Sequence, residues 1–523
     1  MNNKLMLSVT MLVKDSEKYL ERVLQSYSDF DEIIVLDNGS TDNTIAIAER
    51  FENVKIYRSE FIGFGPLKNL AASYAKNDWI LNMDSDEVMR TELVDEIRKI
   101  DFTNKQVIYG MLCLNHYRGR VIKACGWYPN IVKRLYNRQS VSFDDKKVHE
   151  SLHFLNQEGK IHILREHYLH YSFDGADDLI RKLQHYTSLY AEQMKYRKEA
   201  TVFKGFTHGL FGFIKHYFLK KGMFYGADGF VIASANAMGS YYKYVKLAEA
   251  NQRLKVSLLV TTYNRVDALE AVLVSVMHQE KLPFEVVVAD DGSREDTIAL
   301  IKKYQAFFPV PLKHAWQKDD GFRLSESRNR GLALCEGEYV VMIDGDMVLH
   351  PKFILDHIQN AKKGFFVQGG RVMFNEKKTK EYLATPDQYR RVYWYQPNIE
   401  TRFEKRLSAC HLPFLNRLQK KDISYSHKAI RGCNMAFFLD DVIQVNGFNS
   451  EFVGWGREDS EFVERMFNLG VKRHNVKYSA IAYHLYHKEE ERDALPKNDR
   501  LLKEAISEKK KYCEKGLSEF LNK

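Results

Sequence analysis

A chain of 523 residues exceeds the length of about 250–300 residues at which one hydrophobic core stops growing, so a single domain is excluded. Apolar residues make up 45% and aromatic residues 13%, with only ten prolines and no low-complexity tract, which excludes a largely disordered chain. The net charge of +9 favours an anionic partner, whether a phosphorylated substrate, an anionic membrane face or nucleic acid, without choosing among them.

The apolar run Leu5–Val13 predicts a first buried strand and lacks the basic flank and cleavage site of a signal peptide. A second strand, Glu32–Leu36, ends at the turn sequence Asp37-Asn38-Gly39-Ser40. Lys68-Asn69 follows, then the apolar run Trp79-Ile80-Leu81 and the pair Asp84-Ser85-Asp86. Further on come Val148-His149-Glu150 and His170. Phe203–Arg253 mixes Lys204, Lys215, Lys220 and Lys221 with phenylalanines and tyrosines. It reads as a helical connecting region that either packs its aromatics on the first core or lies on an anionic membrane. Tyr241–Lys255 then serves as a helical linker.

The pattern now repeats. Val256–Thr262 predicts a buried strand, Asp267–His278 a helix, and Glu285–Ala289 a strand ending at Asp290-Asp291-Gly292-Ser293. Arg328-Asn329 precedes the strand Tyr339–Ile343 and the pair Asp344-Gly345-Asp346, at the spacing that separates Lys68 from Asp84. Three matches in one order argue for two copies of one fold. Strand–helix alternation predicts α/β architecture with a mostly parallel sheet, and such sheets bind ligands at the carboxyl ends of their strands. Asp37, Asp84, Asp291 and Asp344 fall there. The expected organisation is an N-terminal domain over 1–200, a connecting region over 201–253, a second domain over 254–490 and a charged helical tail over 491–523.

Each D-x-D sets two carboxylates one residue apart just after a strand, where both can face a divalent ion; Mn2+ or Mg2+ suits oxygen ligands and keeps room for substrate phosphates. Asp37 and Asp291 read either as nucleobase or ribose contacts or as turn aspartates, and Asp290 and Asp291 can divide the two roles. In Gly454-Trp455-Gly456-Arg457-Glu458-Asp459, small residues open the face of Trp455 to a sugar, and two adjacent carboxylates open a helix expected over Glu461–Leu469, reading either as a catalytic pair or as an acidic N-terminus that the helix dipole favours. One of them is a candidate general base. His484 and His487 are candidates to complete the metal shell of Asp346. In the first half Glu150 is the base candidate and His170 the histidine comparably placed after Asp86. No two of the six cysteines have C-x-x-C spacing and no run of about 18 apolar residues exists, so neither a zinc site nor a membrane span is expected, and a reduced cytoplasmic protein fits best.

Together these motifs resemble glycosyltransferase family 2, inverting enzymes of GT-A fold. The second half, with Gly454-Trp455-Gly456-Arg457-Glu458-Asp459 and Asp320-Gly321-Phe322-Arg323, is similar to chondroitin polymerases and animal galactosyltransferases. The first half, with Gly63-Phe64-Gly65, Gly126-Trp127-Tyr128-Pro129 and Val148-His149-Glu150, is similar to lipopolysaccharide-core glucosyltransferases acting on heptose. As a tandem the chain resembles two-domain lipooligosaccharide inner-core glucosyltransferases of the Campylobacter type. That resemblance implies metal ligation by Asp346 with His487 or His484, and in the first half by Asp86 and His170. It implies proton removal by Asp459, with Glu458 as the alternative, and by Glu150. A nucleotide-sugar donor, UDP-glucose, is expected at Asp37, Lys68 and Asp84 and at Thr261, Asp290, Asp291, Arg328, Asp344 and Trp455. Asn38 departs from the pattern of Asp291 and leaves the nucleobase contact of the first half to Asp37. The implied acceptor is a lipid-linked oligosaccharide core at the inner face of the inner membrane, reached by a peripheral protein, with no nucleic acid involved. A polysaccharide synthase with two alternating sites shares every motif and is the alternative.

Overall fold

The computed structural model describes residues 4–145, 150–155, 158–399, 406, 409–417, 430–488 and 493–521. The chain divides into two compact units, Met1–Tyr190 with Thr201–Val245 and Ala191–Ala200 with Lys246–Lys523.

In the first unit four parallel strands, Leu5–Val13, Phe30–Asp37, Val54–Arg58 and Trp79–Asn82, lie in the spatial order third, second, first, fourth. The sheet continues through Asn130–Asn137, antiparallel to the fourth strand, then Val107–Tyr117 and Lys160–Phe173. The second unit repeats this order with Val256–Thr262, Glu285–Asp290, Leu312–Trp316 and Tyr339–Asp344, continuing through Asn434–Phe438, Phe365–Gln368 and Lys472–Asn475. Val256–Thr262 is buried along its whole length because helices cover both faces of a parallel sheet, which is why Leu258, Leu259 and Val260 follow one another without the alternation of a one-sided strand.

The repetition reaches individual side chains. Ser8 Oγ donates to Glu32 Oε1 and Ser257 Oγ to Glu285 Oε1, both at 2.6 Å in the core. Each buried glutamate meets a lysine of the neighbouring strand, Lys55 at 3.2 Å and Lys313 at 2.7 Å, so neither carries an uncompensated charge. Asn69 clasps the backbone of Phe143 through two hydrogen bonds of 2.9 Å, and Asn329 clasps Phe448 at 2.7 and 2.8 Å. Sequence-distant segments are thereby fixed against the same helix position in both copies.

Two expectations are revised. The helix after the Gly-Trp-Gly segment begins at Glu458, not Glu461, because Gly456 (φ 103°) and Arg457 (φ 78°) turn the chain sharply just before it. Glu458 and Asp459 therefore form its first turn, where exposed N–H groups and the helix dipole favour carboxylates. The C-terminal stretch forms the helix Leu495–Ser507, then an irregular segment, then a single 3-10 turn over Leu517–Glu519. Its Cys513 and Leu517 are buried, and Asn446 Nδ2 donates to the Cys513 carbonyl at 2.6 Å. Thr201–Val245 clusters with the first unit.

Candidate active sites

The second site forms where the parallel strands end. Val256–Thr262 delivers Thr261, Glu285–Asp290 delivers Asp291, and Tyr339–Asp344 delivers the D-x-D turn. Thr261 Oγ1 donates to Asp344 Oδ1 at 3.1 Å. A Cβ at Gly345 would stand 2.6 Å from the Thr261 carbonyl, so only glycine lets the turn lie this close to its neighbour. These residues line a cavity of about 590 Å3 together with Arg328, Trp455, Glu458, Asp459 and His487, a volume suited to a small-molecule ligand.

Adjacent Asp290 and Asp291 point to different tasks. Asp290 is fully buried, accepts the Ser293 N–H at 2.8 Å and pairs with His314 at 3.0 Å, so it holds the turn. Asp291 lines the cavity, accepting from the Arg323 N–H at 2.9 Å and from Gln317. Burial outweighs those donors and pushes its carboxyl up to about 6. In the first unit Asp37 accepts the Ser40 N–H at 2.9 Å, the counterpart of Asp290, and Asn38 donates to the Ser59 carbonyl at 3.2 Å.

Arg328 is buried and forks between the two acidic motifs: Nη2 lies 3.5 Å from Asp344 and Nη1 3.3 Å from Glu458. Its guanidinium carbon sits 5.0 Å from the Phe448 ring centroid. Asp459 accepts the Gly432 N–H at 2.9 Å and the Ser460 hydroxyl at 3.3 Å. Burial first, and the Asp459 charge second, push Glu458 up to about 7 against the pull of Arg328; burial also raises Asp459. A raised carboxylate is the stronger base and suits a group that accepts a proton.

Asp346 lies on the other side of the turn. His487 Nε2 stands 3.2 Å and His484 Nε2 3.6 Å from its Oδ2, and the candidate ligand atoms of the three residues lie within 4.8 Å of one another. Asp346 Oδ1 and His484 Nδ1 are buried and meet no hydrogen-bond partner among the described residues. A carboxylate with two imidazoles and unused buried atoms fits a divalent cation. His484 is placed by pairing opposite Met347, the residue after the D-x-D.

The first site repeats the plan with different side chains. His170 pairs opposite Glu87, the residue after its D-x-D, and its Nε2 lies 3.2 Å from Asp86 while Nδ1 meets Asn115 Oδ1 at 3.1 Å. Burial opposes a charge on His170, but the hydrogen bond to Asp86 prevails and pushes it up to about 10. Lys68 stands where Arg328 does and pairs with Glu150 at 2.7 Å. Glu150 thus answers to Glu458, and Ser151 follows it where Asp459 follows Glu458. Arg134 meets Asp84 at 2.8 Å and also Glu87. Burial alone would raise Asp84, but the charges of Arg134 and Lys68 hold it well below the usual carboxylate range. Val148 and His149 lie outside the described residues.

Arg134 escaped the sequence reading, and so did Arg265, 3.2 Å from Asp346, and Arg371 and Arg431, which line the second cavity. A lone arginine inside a strand, as in Asn130–Asn137, is the one signal that marks Arg134, since a buried cation needs a partner.

The sequence also matches families of known proteins. Residues 8–120 and 257–427, more than half of the chain, match glycosyl transferase family 2, and 412–488 match the N-terminal domain of galactosyltransferase. An uncharacterized glycosyltransferase of Rickettsia conorii is 31% identical over 260 residues, 48% of this chain and 92% of that protein. The chondroitin synthase of Escherichia coli is 26% identical over 253 residues, 44% of this chain and 34% of the synthase. The hyaluronan synthase of Pasteurella multocida is 28% identical over 229 residues, 42% of this chain and 23% of the synthase. A mannosyltransferase structure from Pyrobaculum calidifontis aligns at 17% identity and a TM-score of 0.31, over 45% of this chain and 58% of that one. The chain carries two regions of glycosyl transferase family 2 and belongs to that family of glycosyltransferases.

Proposed function

We propose that each unit transfers a sugar from a nucleoside-diphosphate donor, UDP-glucose, to an acceptor hydroxyl with inversion, and that the acceptors are heptoses of a lipid-linked lipooligosaccharide inner core. The observation that carries this reading is Arg328, which ties Asp344 of the D-x-D to Glu458 of the acidic pair inside one cavity. The two motifs then flank a single reacting bond. The acceptor oxygen attacks the anomeric carbon, its proton passes to Asp459 or Glu458, and the bond to the diphosphate breaks with its electron pair leaving on phosphate. A divalent cation, Mn2+ or Mg2+, held by Asp346, His484 and His487 would supply neutralisation of that leaving charge. In the first unit Asp86 and His170 hold the corresponding place, and Glu150 is the base. The protein acts at the inner face of the inner membrane without spanning it. Among the described residues no helix is long and apolar enough to cross a membrane.

The deciding experiment gives the purified chain Mn2+, a panel of nucleotide sugars and a heptose-containing core acceptor. Transfer of one hexose at each of two positions is expected; no transfer to heptose from any donor overturns the acceptor assignment. Similarity to chondroitin and hyaluronan synthases favours a second reading, alternating addition of two sugars to a growing polysaccharide. Long products from a repeat-unit acceptor and two donors would establish it.

A further inference from the structure

We infer that the outward face of the Val202–Ile214 helix, with the turn that follows it, is a docking surface for an anionic lipid bilayer. The inward face of this helix is glycine. Gly205, Gly209 and Gly212 are buried against the Gly226–Gln252 helix. A Cβ at Gly205 would lie 3.0 Å from the Tyr241 carbonyl, at Gly209 3.2 Å from Tyr241 Cβ, and at Gly212 3.3 Å from Ser240 Oγ. So narrow a seam leaves no room for large side chains, and most bulky residues turn to the opposite side, while Phe213 packs with Tyr217 on the first unit's core. Phe203, Phe206, Leu210, Phe211 and Ile214 all stand exposed, Phe203 at 76% and Phe211 at 61%. Phe218, Leu219 and Phe224 continue the apolar surface beyond the helix. A contiguous apolar face of this kind marks an interaction site.

Charge identifies the occupant. From Thr201 to Ala227 there is no aspartate or glutamate, whereas Lys215, Lys220 and Lys221 stand exposed beside the aromatics. Aromatic rings with flanking lysines match the headgroup boundary of an anionic membrane. Lys204, in contrast, is half-buried 5.5 Å from the Tyr244 ring centroid and belongs to the fold. Thirteen residues span about 20 Å, short of the ~30 Å hydrocarbon core, so the helix lies in the interface plane. The turn after the helix is anchored to the first unit. The Lys220 carbonyl accepts the Cys125 N–H at 2.9 Å, His216 meets the Cys125 carbonyl at 2.6 Å, and the Tyr225 hydroxyl accepts the Lys123 N–H at 3.1 Å. An apolar face held in place inserts with little ordering cost.

For its purpose this inference rests on the reading of a lipid-linked acceptor, and the test separates the two. The full chain is sedimented with vesicles of phosphatidylcholine, with and without phosphatidylglycerol. Two variants run alongside, Phe203→Ser/Phe206→Ser/Phe211→Ser/Phe224→Ser and Lys215→Gln/Lys220→Gln/Lys221→Gln, and sugar transfer is measured on a water-soluble acceptor. The wild type is expected to pellet with anionic vesicles and to be released by salt. The lysine variant should lose on the order of a hundredfold in partition, and the phenylalanine variant should not bind. Both should keep transfer to the soluble acceptor. Equal pelleting of wild type and lysine variant, or no pelleting of the wild type, overturns the docking face while leaving the catalytic reading intact. A wild-type dimer in solution that the phenylalanine variant dissolves would assign the face to a second copy instead. The lysines are exposed, so their variant decides the matter even where the phenylalanine variant fails to fold.

Discussion

Arg328 offers the sharpest test of how the second site is assembled. Its fork holds Glu458 at 3.3 Å and Asp344 at 3.5 Å, and the strand paired antiparallel to the D-x-D strand, Asn434–Phe438, carries no basic residue. In the first unit that strand, Asn130–Asn137, supplies Arg134 to Asp84, and lysine suffices at position 68. Arg328→Lys in the second unit should therefore keep Glu458 and lose Asp344. A charged hydrogen bond contributes about 1.5–3 kcal/mol, and length and partial solvent exposure at Asp344 cut this to about 1 kcal/mol, or roughly fivefold in kcat/KM. Arg328→Met leaves two carboxylates without their cation. Breaking one side of a buried pair costs about 3–5 kcal/mol, and discounting for the exposed Asp344 gives a fall of roughly 10²-fold. The pH profile gives an independent readout. The base works only when deprotonated, so kcat/KM falls as pH drops through the raised titration of the Glu458–Asp459 pair, with Glu458 at about 7. Arg328 opposes that rise, so in Arg328→Met the acid limb should move to higher pH. The assay is nucleoside-diphosphate release with product masses, taking transfer by the first unit as internal control and a thermal melt as a check on folding. Wild-type kcat/KM in Arg328→Met, an acid limb that moves to lower pH, or a lysine variant as impaired as the methionine one would refute the bridging role.

Other outcomes follow from the same geometry. Asp459→Asn, nearly isosteric, should lower kcat of the second transfer by roughly 10²–10⁴-fold with donor affinity unchanged; near wild-type turnover would move the base to Glu458. Asp346→Ala should abolish one transfer and Asp86→Ala the other, as read by product mass, and loss of both from either substitution in a folded protein would mean one composite site. Gly345→Ala would bring a Cβ to 2.6 Å from the Thr261 carbonyl. Forcing the turn outward should cost about 1–3 kcal/mol and impair the second transfer, and an unchanged melting temperature with full activity would contradict the close packing.

What the sequence determined by itself is what local chemistry encodes. Apolar runs such as Tyr339–Ile343, bounded by turn signals, read as buried strands, and the turn residues after such strands place Asp84, Asp86, Asp344 and Asp346 at the carboxyl ends. Recurrence of those signals in one order made the duplication legible before any coordinate. Tertiary structure decided whatever depends on contacts between distant segments or on the direction of a side chain. Asp290 and Asp291 are neighbours in sequence, yet one is sealed in the turn and the other faces the cavity. The pairings of Arg134 with Asp84 and of Arg265 with Asp346 join residues far apart in the chain, and no local pattern announces them. The aromatic segment after Thr201 had two consistent readings, because composition does not say which face of a helix is buried. The glycine seam at 205, 209 and 212 fixes the faces: close backbone packing excludes large side chains there, Phe203, Phe206 and Phe211 are left facing outward, and Phe213 and Tyr217 pack on the first unit.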